Sequence, residues 1–276
     1  MVQALTADKL KTFFHARMPE SHKGTFGHVC LLAGSIGKMG AAVIAATSCL
    51  RGGCGLLSVS IPFTERTILQ SSLPEAMVLD RNHSMSYLDY DVFAAGPAMG
   101  LDAEAIELVE ALLLVKHPQL VLDADALTIL STKRSLLDTL PPQTIITPHV
   151  KEFDRLAGTS LSMDDREEQA MKFASRYQVI VVLKHHRTFI TDGDNCFRNT
   201  TGNTGLAKGG SGDALLGLIA SFRAQGYQAM HAAMMGVYLH GLAADMAVQQ
   251  YSEESLLITD VIQHYGKAFR ETFYAS

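Results

Sequence analysis

The chain has no marked excess of charge of one sign. It sets 23 lysines and arginines against 28 aspartates and glutamates in 276 residues, for a net charge of −5, and it carries no long block of like charges. That excludes wrapping of nucleic acid and a polybasic membrane anchor, since both need a concentrated positive field. Cysteine is scarce: Cys30, Cys49, Cys54 and Cys196 form no CxxC pair. No disulfide framework or zinc ribbon is encoded, and a reducing cytoplasm is the expected location. No basic segment followed by an apolar core and a cleavage site opens the chain, and its most apolar stretches, residues 41–50 and 106–115, are too short to span a bilayer. Repeats, low-complexity tracts and Pro/Ser-rich linkers are also missing, so one domain over residues 1–276, with an extension at 1–20, is expected.

Familiar catalytic signatures are absent as well. The loop Gly34-Ser35-Ile36-Gly37-Lys38-Met39-Gly40 is not a Walker A motif, because Leu32 stands where its first glycine belongs and Met39 where its hydroxyl belongs. No stretch satisfies GxGxxG, which disfavours a nicotinamide dehydrogenase, and HExxH is missing. The nucleophile elbow fails at both candidate serines: Ala33 lies two before Ser35 and Asp213 two after Ser211.

What is present describes an ordered chain able to bury a large interior, 47% hydrophobic and 18% charged. Residues 28–33, 56–61, 91–95, 120–122, 144–146 and 179–183 read as strands, with helical periodicity at 40–51, 103–115 and 163–177 between them. This alternation predicts a mostly parallel sheet with helices on both faces. Residues 188–191 and 195–198 flank Asp192-Gly193-Asp194 as a hairpin, and the chain is helical from Asp213 onward. The 22 glycines are bunched in residues 34–55, 96–100 and 202–217, where turns should bring backbone close to a ligand.

In such sheets chemistry sits beyond the carboxyl ends of the strands. The strongest motif is Gly202-Asn203-Thr204-Gly205-Leu206-Ala207-Lys208-Gly209-Gly210-Ser211-Gly212-Asp213, which opens an apolar helix. Free N–H groups and the helix dipole make this turn an anion hole for a phosphoryl group. Asp213 either caps the helix or takes a proton from an attacking substrate hydroxyl. Thr147-Pro148-His149 reads as a helix start with Thr147 as N-cap and Pro148 at the first helical position, which also sets His149 where a ligand could be touched. Glu152 could orient magnesium-bound water. Of Lys184-His185-His186-Arg187-Thr188, Lys184 is the better candidate for nucleotide contact, while His185 and His186 read as a solvated turn.

Together these motifs, with Ser21-His22-Lys23-Gly24 before Gly27, Gly96-Pro97…Gly100 and Asp123-Ala124-Asp125-Ala126-Leu127, resemble the ADP-dependent NAD(P)H-hydrate dehydratases of the ribokinase-like superfamily, over roughly residues 21 to 260. The resemblance implies a three-layer α/β/α fold and repair of hydrated NADH or NADPH, with ADP (or ATP) as co-substrate, Mg2+, and AMP, phosphate and NAD(P)H as products. It implies substrate contacts at Ala42, Gly100, His149 and Asp213, with Asp213 catalytic. It implies nucleotide contacts at Lys184, His185, His186, Arg187, Thr188, Asn203, Gly209, Gly210, Ser211 and Gly212. It also implies a homotetramer and, because some twenty residues before Ser21 are too few for another domain, a separate epimerase. The chain departs from the family pattern at His185, at Val150-Lys151 and at Ala98-Met99. An ATP-dependent thiazole or hydroxymethylpyrimidine kinase of the same superfamily is the alternative, although such kinases tend to carry asparagine where His149 stands. A catalytically idle nucleotide-binding protein is a further one.

Overall fold

The computed structural model describes residues 1–81, 89–115 and 119–274. Among these residues ten strands form one sheet: β1 (Gln3–Leu5), β2 (His28–Leu32), β3 (Leu56–Ile61), β4 (Met77–Asp80), β5 (Val92–Ala95), β6 (Leu120–Leu122), β7 (Ile145–Ile146), β8 (Ile180–Leu183), β9 (Phe189–Thr191) and β10 (Cys196–Asn199). Their spatial order is β1-β10-β9-β8-β7-β6-β5-β2-β3-β4. Only β9 runs against its neighbours β8 and β10. The helices are α1 (Ala7–Lys11), α2 (Met39–Gly52), α3 (Arg66–Ser72), α4 (Ala103–Leu114), α5 (Ala124–Thr132), α6 (Val150–Ala157), α7 (Met163–Tyr177), α8 (Ser211–Ala224), α9 (Ala229–Ala247), α10 (Ile258–Gln263) and α11 (Tyr265–Phe273).

Strand β2 shows why the sequence folds in three layers. Val29 and Leu31 pack into the apolar cluster that α2, α8, α9, α10 and α11 build on one face. Cys30 and Leu32 point into the cluster of α4, α5, α6 and α7 on the other. A strand covered on both faces must be apolar at successive positions, and this is the continuous pattern of a buried parallel strand. Helices α1, α4 and α7 start where a short polar side chain takes up a free N–H group. Asp102 accepts from Ala105 N–H at 2.9 Å before α4, and Ser162 accepts from Asp165 N–H at 3.1 Å before α7.

The mostly parallel sheet between helical layers is as expected, and the hairpin pairs Cys196 with Thr191 and Arg198 with Phe189. Two strands lacked a sequence signal. β1 and β4 lie at opposite edges, where Gln3, Ala4 and Met77 are exposed, Leu5 alone is buried, and three or four residues are too few for an alternation to read. Through β1, residues of the N-terminal extension join the sheet beside β10. The glycine grouping also needs correction at Gly217, which lies inside α8 and not in a ligand loop. A side chain there would come within 2.1 Å of the Ala45 carbonyl oxygen, so this glycine lets α8 and α2 touch backbone to backbone. Among the described residues no helix is long and apolar enough to cross a membrane.

Candidate active site

Neighbours β2 and β5 sit where the chain order reverses: β3 and β4 extend the sheet one way, and β6, β7 and β8 the other. The loops at such a switch point diverge and leave a crevice beyond the strand ends. Gly34 N–H donates to the Pro97 carbonyl at 2.8 Å and so joins the loops after β2 and β5. Arg81, 6% exposed, ties three strand ends together. Its Nη1 donates to Met99 O at 3.1 Å, and its Nη2 to Ala33 O and Gly34 O at 2.8 Å and to Ser60 O at 3.2 Å. A guanidinium suits this task because its donors lie in one rigid fork.

Beyond β6, Asp123 is buried and paired with Lys184 from the end of β8. The ammonium stands 2.7 and 2.8 Å from the two carboxylate oxygens. Two features fix the pair. Gly96 has φ +136°, and a side chain there would lie 1.8 Å from the Asp123 carbonyl oxygen. Ala124 stands in the left-handed region at φ +47°, as does Ala98 at +48°. That conformation costs an alanine about 1–2 kcal/mol, and such strain clusters at functional sites.

The first turn of α8 opens onto this ion pair. A side chain at Gly212 would meet Lys184 Nζ at 3.1 Å and Asp123 Oδ2 at 3.2 Å. Ser211 N–H turns back to Lys208 O at 3.4 Å and Ala214 N–H to Gly210 O at 2.9 Å, but among the described residues none accepts from the N–H of Gly212 or Asp213. These donors, at the positive end of the dipole, suit a phosphoryl oxygen. Asp213 makes no capping bond. Burial pushes its carboxyl up to about 6; the like charge of Asp123 and then that of Asp125 add to the rise, and Lys184 opposes it. Asp125 in turn accepts from Gly100 N–H at 3.0 Å.

The helix start at residues 147–149 differs from expectation. His149, not Thr147, is the N-cap of α6, so Pro148 stays outside the helix. The cause is the neighbouring strand: His149 bridges Lys184, and Lys184 N–H donates to Pro148 O at 2.8 Å, which keeps the chain extended two residues longer. His149 Nδ1 accepts from Lys151 and Glu152 N–H at 3.1 and 3.2 Å, while Glu152 Oε2 accepts from His149 N–H at 2.7 Å. With Nδ1 an acceptor, the neutral ring carries its proton on Nε2, 3.5 Å from Glu152 Oε1.

A family model described as NAD(P)H-hydrate dehydratase matches residues 29–266. This chain belongs to that family. The ADP-dependent (S)-NAD(P)H-hydrate dehydratase of Lactiplantibacillus plantarum is 34% identical over 258 residues, 91% of each chain. The bifunctional NAD(P)H-hydrate repair enzyme of Moorella thermoacetica is 36% identical over 94% of this chain, which spans about half (52%) of that relative's length. The crystal structure of the ADP/ATP-dependent NAD(P)H-hydrate dehydratase of Bacillus subtilis, co-crystallised with ATP/Mg2+, superposes with a TM-score of 0.87 at 30% identity, covering 98% of this chain and 99% of that one. A ribokinase-like superfamily protein of Enterococcus faecalis superposes with a TM-score of 0.88 at 30% identity over 99% and 97%. The fold is therefore the ribokinase-like one.

Within this chain, Lys184 and Gly212 lie against Asp123, Gly100 bonds Asp125, and Asp213 feels the charge of both carboxylates, while His149 joins the group through its backbone bridge to Lys184. Ala42 backs the loop after β2, its side chain fully buried and close against Gly34. The other expected contacts have these surroundings. His185 Nδ1 accepts from Arg187 N–H, and its Nε2 lies 3.7 Å from Glu167 of α7. His186 and Arg187 are exposed, and Thr188 O accepts from Asn199 N–H at 2.9 Å. The Asn203 amide nitrogen donates to Asp245 of α9 at 2.9 Å and its oxygen accepts from Gly205 N–H at 3.0 Å. Gly209 and Gly210 lead into the helix mouth, and the Ser211 hydroxyl meets His240 at 3.1 Å. Sequence reasoning assigned no role to Asp123, whose place at a strand's carboxyl end was a usable signal, and none to Arg81, which follows a strand that was not legible.

Proposed function

We propose that this chain dehydrates the S epimer of hydrated NADH or NADPH at the expense of ADP, releasing AMP and phosphate. The observation that carries this reading is the Asp213 carboxyl, raised to about 6 beside unpaired N–H groups at the mouth of α8. A base of that strength is largely ionised at neutral pH yet basic enough to take a proton in a transition state. Hydroxide is a poor leaving group, so the C6 hydroxyl of the hydrate must first be phosphorylated. Asp213 removes the hydroxyl proton as the oxygen attacks the β-phosphorus of ADP, and AMP leaves. The N–H groups of Gly212 and Asp213 offset charge growing on the phosphoryl oxygens, and Lys184 adds a fixed positive charge beside them. The ring nitrogen lone pair then expels phosphate, and loss of the C5 proton restores the C5–C6 double bond. His149, half-exposed at the strand end, and Gly100 border the place for the nicotinamide ring.

Among the described residues no three His, Cys, Asp or Glu side chains stand together as a metal cage. Mg2+ needs none, since it keeps waters and takes one or two carboxylates with the phosphates. The surplus of Asp123, Asp125 and Asp213 over Lys184 fits a divalent cation arriving with the nucleotide, and Asp125 and Asp213 would hold it through water. Such an ion would neutralise diphosphate charge. Glu152 is taken up by the His149 N–H. The proposal extends to a cytoplasmic homotetramer of single-domain chains served by a separate epimerase, and light scattering tests the tetramer.

The deciding experiment incubates purified protein with hydrated NADH and ADP and follows the return of reduced-nicotinamide absorbance. No recovery with ADP or ATP, together with phosphorylation of a thiazole alcohol, would assign a kinase instead.

A further inference from the structure

Behind the phosphate seat, four side chains form a closed hydrogen-bonded chain that starts and ends on the first turn of α8. Ser211 Oγ lies 3.1 Å from His240 Nε2 in α9. His240 Nδ1 lies 2.9 Å from the Tyr265 hydroxyl in α11. That hydroxyl lies 3.2 Å from Ser48 Oγ in α2, and Ser48 Oγ lies 2.5 Å from the Ala214 carbonyl oxygen. Ser48 and Tyr265 are fully buried and His240 is nearly so.

The direction of every proton follows from the last link. A carbonyl oxygen only accepts, so Ser48 donates to Ala214. Having spent its one proton, Ser48 accepts from Tyr265. Tyr265 then has only lone pairs for His240, so His240 carries its proton on Nδ1. Burial pushes the His240 imidazole down to about 4 and keeps the ring neutral, which leaves Nε2 bare. A bare Nε2 must accept, and its donor is the Ser211 hydroxyl. The single proton of Ser211 is therefore turned inward, and its oxygen has lone pairs alone for any further partner.

We propose that His240, Tyr265 and Ser48 are positioning residues that hold Ser211 as a hydrogen-bond acceptor at the nucleotide site. This rests on the reading of the α8 turn as a phosphate seat. Binding of the diphosphate then falls to backbone N–H groups and Lys184. Ser211, although part of the glycine-rich turn, selects against a bare phosphoryl oxygen at its own position and favours a hydrogen-bond donor there. Sequence pattern could not show this, because a serine in such a turn reads as a phosphate donor.

Calorimetric titration of the intact protein with ADP tests the proposal. Ser211→Ala removes lone pairs that disfavour a phosphoryl oxygen and should hold or tighten ADP binding, whereas loss of a donating serine would weaken it about tenfold, at about 1.4 kcal/mol. Tyr265→Phe lets the His240 proton move to Nε2, which frees Ser211 to donate outward and should tighten ADP about three- to tenfold. That gain should vanish in the double variant Ser211→Ala/Tyr265→Phe, whereas a merely structural effect of Tyr265 would persist there. Ser48→Ala removes the link that sets the direction and should act as Tyr265→Phe does, which provides a second test if the tyrosine variant fails to fold. A fivefold or greater loss in Ser211→Ala would overturn the proposal, as would an unchanged Tyr265→Phe effect in the double variant. A wild-type protein that does not bind ADP at all would overturn the phosphate seat as well.

Discussion

Replacing Asp213 by asparagine should make the protein more stable and nearly inactive at once. The carboxyl moves from an ordinary 3.8 to about 6 in the folded chain, chiefly by burial and secondarily by Asp123. A raised folded-state value means that Asp213 favours the fold while protonated, and that this contribution is lost as pH rises from the unfolded value through the folded one. Two units correspond to about 3 kcal/mol when fully expressed, and about 2 kcal/mol of it develops between about pH 4.5 and about pH 8. Asparagine keeps the shape without the charge. Its stability advantage over wild type should therefore grow by about 2 kcal/mol across that interval, or about 4 °C in melting temperature for a chain of this size. Activity should fall about 10²- to 10⁴-fold, as expected for loss of a general base. Paired thermal melts at the two pH values and initial rates with hydrated NADH and ADP measure both. A melting increment equal at the two pH values, or activity within tenfold of wild type, would refute the assignment of Asp213 as a buried, poised base.

Other substitutions probe the supports of that base. Lys184→Met leaves the buried Asp123 carboxylate unpaired, which should cost about 3–5 kcal/mol. It also removes the one cation that lowers the Asp213 value, so the acid limb of the rate profile should move above about 6; a downward move would contradict the electrostatic account. Asp123→Asn should move the same limb down, because a like charge is gone, and a pH–rate series on purified variant reads it directly. Gly96→Ala drives a methyl into the Asp123 carbonyl at a backbone angle that glycine tolerates and alanine does not; a loss above about 3 kcal/mol in denaturant melts is expected. Arg81→Lys keeps the charge but loses the fork that serves four carbonyls, and it should cost about 2–4 kcal/mol and weaken binding of the hydrated cofactor more than that of ADP.

Much of the site was legible because its residues follow strand ends, and strand ends are visible as apolar runs that stop at glycine or a polar residue. Gly100, His149 and Lys184 belong to such stops, and Gly212–Asp213 were marked instead by the glycine-rich run that opens an apolar helix. What the sequence could not show is which neighbours hold these residues. In Lys184-His185-His186-Arg187-Thr188, Lys184 pairs with Asp123 and His185 packs toward Glu167 of α7, while the Asn203 amide bonds Asp245 of α9 and Gly205 N–H, and each of these partners lies elsewhere in the chain or in the turn's own fold.

The sequence by itself determined the layered α/β architecture, the glycine-rich helix mouth and the candidacy of Asp213, since each depends on local periodicity or on residues adjacent in the chain. Tertiary structure alone decided how Asp213 titrates, because its perturbers Asp123 and Lys184 arrive from strands 90 and 29 residues away in the chain. It alone decided the roles of Arg81, His240 and Tyr265. A buried polar side chain in an apolar stretch carries no local mark of its partner, and these partners meet only when the loops close and the helices pack.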